Sequence, residues 1–215
     1  MRGRPIAFLA TLLFSFSQAM ACVPTASGSR LPLSTMRDVR YEGVVAQTDW
    51  YTCGPAAVAT LLRYYYGMDV DEQAALKVAL DVSEELGLNV ETGISALALV
   101  RTLEHFGVRT LGYELTAGAL ADYFRRGGLP VIIHVTQPEQ HYVVAVGMVG
   151  EYILIADPSW GRRIERWTEY AVDKQFSGVT LVALPSDKQT PLVSSAQRRA
   201  VGGMVDTLLH VSSLS

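Results

Sequence analysis

Cysteine is nearly absent from this chain of 215 residues: Cys22 and Cys53 are the only two. That excludes a disulfide scaffold and a zinc site of the multi-cysteine kind. Histidine is scarce too, with four residues, and neither sign of charge dominates, with 18 Lys and Arg against 21 Asp and Glu. A net charge of −3 offers no basic face for nucleic acid. Beyond the N-terminal run, no stretch approaches the ~20 apolar residues that a membrane-crossing helix needs. There is no nucleotide-binding glycine loop, no metal-ligand cluster and no internal repeat, so no cofactor is expected.

What is present begins with an export signal. Arg2 and Arg4 give a basic start, Ile6 to Phe16 is an apolar run of suitable length, and Ala19-Met20-Ala21 places small residues where a signal peptidase reads. Residues 1–21 are therefore read as a cleaved signal peptide, and the mature protein as periplasmic or extracellular, with no membrane span after cleavage. Cys22 follows Ala21 directly, which allows a lesser reading as an acylated lipoprotein. Against it, Ala19 stands where a lipobox carries leucine. Residues 22–40 are rich in Ser, Pro, Thr and Arg without periodicity and read as a flexible lead-in.

The folded domain is placed at 41–185. Tyr41 to Ala46 reads as extended. Helices are expected over Pro55–Tyr66, stopped by Gly67, over Asp71–Leu80, over Thr92–Phe106 with Thr92 as cap, and over Thr116–Arg126. Val108–Leu115 reads as extended. The second half is a series of β-branched and aromatic runs bounded by turn residues: Leu129–Thr136, His141–Val149, Glu151–Asp157, Arg162–Trp167 and Gly178–Leu184. A short helix is expected near Thr168–Phe176. Helices first and an antiparallel sheet second is the α+β pattern. The remaining tail, 186–215, holds an amphipathic helix around Ser195–His210, weakened by Gly202-Gly203.

Chemistry concentrates at 47–58. Gln47 stands six residues before Cys53, and Gly54-Pro55 and small apolar residues follow. Proline is favoured in the first turn of a helix, so Cys53 is expected at or just before a helix N-terminus. The free N–H groups and the dipole favour a negative sulfur there. A glutamine nearby supplies an oxyanion donor. A thiol nucleophile also needs a base and an acceptor that orients the base. His141 opens a strand after a polar loop, and Asp157 ends the next one. In a hairpin turned near Gly150, residues whose numbers add to about 300 face each other. His141 and Asp157 add to 298, which puts an imidazole beside a carboxylate. Trp50 and Trp160 flank these residues and are read as shaping a substrate cleft. His134, inside an apolar strand, reads as a satisfied core histidine.

Gln47 with five residues to Cys53-Gly54-Pro55-Ala56-Ala57, then His141-Tyr142-Val143-Val144, then Asp157-Pro158 followed by Gly161, resembles the C39 family of papain-like cysteine peptidases, the double-glycine leader peptidases. The resemblance brackets residues 41–184. It implies a papain-like α+β fold, Cys53, His141, Asp157 and Gln47 as the catalytic set, and cleavage after a Gly-Gly or Gly-Ala pair. Typical members of that family are cytosolic N-terminal domains of ABC exporters. Here a signal peptide precedes and no exporter follows, so the chain looks more like the free-standing component of bacterial functional-amyloid (Fap) secretion systems. Its expected substrate is then a secreted or amyloid protein, with secretion machinery as a further partner. Two other readings use the same residues: a binding module that docks an export substrate without cutting it, and thiol-based hydrolysis of a non-peptide amide.

Overall fold

Ten consecutive residues, Cys53–Leu62, are buried in a single helix, and the rest of the fold is arranged around it. The computed structural model describes residues 35–213. The signal peptide read over 1–21, Cys22 and most of the lead-in lie outside the described residues. The last five residues of that lead-in, Met36–Arg40, form a short helix, α1. The Thr35 side chain accepts from the Asp38 N–H, and the Asp38 carboxylate accepts from the Thr35 N–H, a reciprocal cap that the flexible reading missed. Residues 41–43 then turn, with Gly43 at φ +76°, where an extended piece was expected.

The central helix, α2, spans Cys53–Tyr64. It begins two residues earlier than expected, with Pro55 inside the first turn, where a missing N–H breaks no intrahelical bond. Its small residues allow close approach. A Cβ on Gly54 would lie 2.9 Å from Leu99. Helix α3, Glu72–Glu85, is capped by Asp71. It runs past Leu80 because the buried stripe Ala75, Leu76, Ala79 continues to Ser83. Helix α4, Ala96–His105, is capped by Ser95 and not by Thr92. Gly93 at φ +114° between them is not helical, so the chain cannot start to wind until Ser95.

The strands are β1 Arg109–Glu114, β2 Val131–Val135, β3 His141–Val149, β4 Tyr152–Asp157, β5 Gly161–Arg166 and β6 Phe176–Leu184. They form one antiparallel sheet in the order β1-β6-β2-β3-β4-β5. Two short helices, α5 Ala117–Arg125 and α6 Trp167–Asp173, are interposed, and α7, Thr190–Ser212, follows. The α+β class holds, with helices on both faces of the sheet. Leu61, Leu99, Leu103, Val144, Leu154 and Met204 belong to one apolar cluster, between the sheet and α2, α4 and α7. On the other face, Leu120 and Phe124 of α5 and Trp167 and Tyr170 of α6 pack on Ile133, Val143 and Ile155. Among the described residues no helix is long and apolar enough to cross a membrane.

The tail helix read at 195–210 starts five residues earlier and docks by its own side chains. Val193, Ala196 and Met204 are buried, and Gln197 donates to the carbonyls of Gly128 and Val146, each at 2.8 Å. Gly147 sits at a bulge in β3 and leaves room for Val201, which a Cβ there would meet at 2.8 Å.

Candidate active site

Cys53 is the first residue of α2, and Thr52 is its N-cap without a capping hydrogen bond from its side chain. The Thr52 hydroxyl donates instead to the carboxylate of Glu72 at the start of α3. The same carboxylate oxygen accepts from the Thr48 N–H at 2.7 Å. Glu72 is buried and ties the 48–52 turn to α3. Two consequences follow for the thiol. The loop that delivers it is held from beneath, and no capping oxygen takes up the N–H groups of the first helical turn. Those groups and the positive end of the dipole remain available to an anion.

The β3–β4 hairpin brings up the base. Val144 faces Ala156 and Ala145 faces Ile155, the register of about 300 read from the sequence. Asp157 therefore stands diagonal to His141, across one step of the ladder, with both side chains on one face. His141 Nε2 donates to Asp157 Oδ1 at 2.8 Å. The same oxygen accepts the backbone N–H of Ser159 at 2.8 Å and of Trp160 at 3.2 Å. Asp157 is thus both the orienting acceptor of the imidazole and the anchor of the 157–161 turn. Its other oxygen lies 3.9 Å from an Arg163 guanidinium nitrogen.

With Nε2 engaged, Nδ1 is left for the sulfur of Cys53, which hydrogen-bonds the same ring. Burial alone would disfavour the imidazolium, but the hydrogen bonds to Asp157 and Cys53 and the charges of both outweigh it. His141 is raised from 6.5 to about 9. Burial would likewise raise Asp157; the bond and charge of His141 and the two backbone N–H donors overcome it and hold the carboxyl below its usual range.

Gln47 meets the site from the other side. Its Oε1 accepts from the Ser159 hydroxyl at 2.8 Å, and its Nε2 donates to the Asp49 carbonyl at 2.9 Å. Its backbone N–H donates to the Pro158 carbonyl at 3.0 Å. The amide is fixed at both ends, with one N–H of Nε2 unspent. The end of α1 and the residue after it contribute as well. Tyr41 Oη donates to the Ser159 carbonyl at 2.6 Å, Arg40 Nε donates to the Trp160 carbonyl at 2.6 Å, and the Arg40 guanidinium lies 5.2 Å from the Trp160 ring centre.

Two cavities meet at these residues. One, of about 160 Å³, is bordered by Gln47, Trp50, His141, Asp157 and Trp160. The other, of about 200 Å³, is bordered by Cys53, Thr92, Ser95, His134 and Tyr142. Trp50 and Gln140 border both. Cys53 is only 6% exposed, and what opening it has is toward the second cavity. All six site residues read from the sequence come to this one cleft. Glu72, Ser159 and His134 were not among them. Nothing local marks Glu72, which follows a helix cap in an ordinary first turn. His134, read as core, is half-buried and borders the thiol's cavity.

The model of the peptidase C39 family matches residues 42–188. The chain is 29% identical over 165 residues to the Pseudomonas aeruginosa protein named "Probable functional amyloid protease FapD", covering 75% of this chain and 70% of that one. It is 30% identical over 146 residues to the Pseudomonas fluorescens protein of the same name, covering 67% and 62%. Among solved structures it is similar to a double-glycine-motif protease from an AMS/PCAT transporter in complex with the leader peptide, at 26% identity and a TM-score of 0.54 over 66% of this chain and 91% of that one. The peptidase domain of Streptococcus ComA shares the fold, at 23% identity and a TM-score of 0.55, over 66% of this chain and 98% of that one.

Proposed function

The chain belongs to the peptidase C39 family and is a cysteine peptidase, and on that premise we propose that it is an exported enzyme cutting a secreted protein or its leader after a Gly-Gly or Gly-Ala pair, in support of protein secretion or amyloid biogenesis. Export is supported by the signal-like residues 1–21. The substrate class is supported by two similarities, one to relatives named as functional amyloid proteases and one to a double-glycine protease solved with a leader peptide. The observation that carries the chemistry is a single imidazole bonded on one nitrogen to Asp157 at 2.8 Å and on the other side to Cys53.

The steps follow from that arrangement. Cys53 gives its proton to His141 Nδ1, and the imidazolium beside Asp157 stabilises the sulfur anion. The thiolate attacks the scissile carbonyl. The oxyanion is held by the Cys53 N–H and the free N–H of Gln47. His141 returns its proton to the leaving amine, so the leaving segment lies on the Gln47 and Trp160 side and the acyl segment in the cavity beside Cys53. Water, deprotonated by His141, then releases the acyl group from sulfur.

The test uses two synthetic peptides, alike except that one carries Gly-Gly and the other bulky residues at that pair, followed by mass spectrometry. A cut directly after Gly-Gly, absent with Cys53→Ala, is expected. Equal cutting of both peptides, or none by the wild-type chain, overturns the proposed specificity. Gln47→Ala is expected to lower kcat by about 10²- to 10³-fold, the usual loss for one oxyanion donor. It should leave the rate of Cys53 alkylation by iodoacetamide unchanged, because that displacement develops no oxyanion.

A further inference from the structure

We propose that His134 is a substrate-binding residue of this peptidase, whose Nε2 accepts a hydrogen bond from a backbone N–H of the acyl segment in the cavity beside Cys53. This rests on the peptidase reading above and assigns a role to a ring that the mechanism does not use. His134 lies on β2 directly opposite Tyr142 of β3, and the two rings are 4.7 Å apart. His141 is paired with Val135, so His134 stands one strand away from it and one step along the ladder.

The tautomer of His134 is set by its neighbour. His134 Nδ1 is 3.0 Å from Ser177 Oγ. That hydroxyl has one proton, and it lies 3.1 Å from the carbonyl of His134 itself, which can only accept. We place the hydroxyl proton on that carbonyl, so that Ser177 Oγ accepts from the Val179 N–H at 3.3 Å and from an Nδ1–H of His134. Nε2 is then the unprotonated nitrogen, an acceptor. It has no partner within the described residues. Yet no buried side-chain nitrogen or oxygen among them lacks one, so Nε2 reaches open space. The space this ring borders is the cavity of Cys53. Burial and the charge of His141 both act against a second proton on the ring and hold it below the ordinary imidazole value.

The other lining groups fit the same ligand. Thr92, Ser95 and Gln140 are polar, and Gly93 presents backbone without a side chain. An extended peptide brings N–H and C=O groups in alternation into such a space. Most of these groups can both donate and accept, whereas His134 Nε2 in this tautomer can only accept.

Peptides carrying one N-methyl group at each successive position before the scissile bond separate this role from a structural one. With the wild-type chain, N-methylation at a single position is expected to raise KM by about 3- to 10-fold, the loss of one neutral hydrogen bond, with kcat nearly unchanged. His134→Phe keeps the ring shape without the acceptor. It should raise KM for the unmodified peptide by a similar factor and abolish the extra penalty at that one position. Its Cys53 alkylation rate should match wild type. Equal sensitivity of wild type and His134→Phe to every N-methyl position overturns the proposal, as does a His134→Phe KM equal to wild type. Should His134→Phe fold poorly by its melting curve, Ser177→Ala tests the same claim by releasing the tautomer, and an unchanged KM and N-methyl pattern there counts against it. Binding of the same peptides to the Cys53→Ala chain gives the Kd ratios without cleavage, so the result stands apart from the question of where the enzyme cuts.

Discussion

His141→Ala is expected to lower kcat for peptide cleavage by a factor on the order of 10⁴ to 10⁶, the range seen when the base of a coupled nucleophile–base set is removed. It should also bring the alkylation of Cys53 by iodoacetamide at pH 6 down to the rate of a free thiol peptide. Both losses come from the same place. Among the described residues the ring is the only group bonded to both Cys53 and Asp157, so without it the thiol loses its proton acceptor and its cationic partner. The ring's pKa is raised from 6.5 to about 9, so activity is expected to persist through the neutral range and fall above that value, as the leaving amine loses its proton donor. The same shift has a stability sign. A base with a raised folded pKa contributes fully below its unfolded pKa, and the contribution disappears as pH rises through the folded one. The Tm gap between wild type and His141→Ala should therefore be widest below pH 6.5 and close above about pH 9. A gap that widens toward alkaline pH would mean that the ring is not held as a cation by its neighbours. Alkylation at an undiminished rate in His141→Ala would show that the thiol is activated by the helix terminus alone.

The residues that meet in the cleft were legible for local reasons. Gly54-Pro55 marks a helix start, and a helix start places Cys53 where N–H groups are free. The hairpin centred near Gly150 places His141 and Asp157 at one end of two strands, and the observed register follows that arithmetic even though a bulge at Gly147 shifts it by one further along. What was not legible depends on contacts between distant segments. The pairing of β1 with β6 joins residues some 70 positions apart, and no periodicity in either strand announces it. The fixing of the 48–52 turn by Glu72 and of Gln47 by Ser159 belongs to the same class. His134 was misread because apolar neighbours in sequence, Ile133 and Val135, suggest burial on both sides. Its face of β2 instead opens on the thiol's cavity, at a sheet end where side chains stop covering one another.

The helix ends show the same division. Thr116 caps as its sequence position suggests, and of Asp69 and Asp71, either of which could cap by sequence, Asp71 does so, since the signal and its structural cause lie within one turn. Thr92 carries the same chemistry and does not cap. The cause lies in Gly93, whose backbone leaves the helical region, so the next hydroxyl along, Ser95, takes the role. Reading α1 as part of a flexible segment failed for a related reason. Five residues are too few for a stable isolated helix. Here Arg40 and Tyr41 bind the carbonyls of Trp160 and Ser159 and hold the segment against the Asp157 turn.

Asp157→Asn is expected to lower kcat by about 10²- to 10⁴-fold while leaving the fold intact, and the reason lies in how Oδ1 is shared. That oxygen accepts three N–H groups, from His141, Ser159 and Trp160. An asparagine can put its carbonyl in the place of Oδ1 and keep the turn and the bond from His141, but its NH₂ then takes the place of Oδ2, toward the Arg163 guanidinium, and the negative charge is gone. Without that charge the imidazolium that forms when Cys53 gives up its proton loses its stabilising partner, and the thiolate–imidazolium pair is disfavoured. The charge that holds His141 near 9 is also lost, so the alkaline limit of whatever activity remains should move down toward 6.5. Asp157→Ala differs in a measurable way. It leaves the N–H groups of Ser159 and Trp160 without their acceptor, so its Tm should fall below that of Asp157→Asn. Oδ1 would then be anchoring the turn and the ring, and the negative charge stabilising the imidazolium. Activity of Asp157→Asn within tenfold of wild type, with an unmoved alkaline limit, would mean that the hydrogen bond's geometry suffices and that the negative charge plays no part in the reaction.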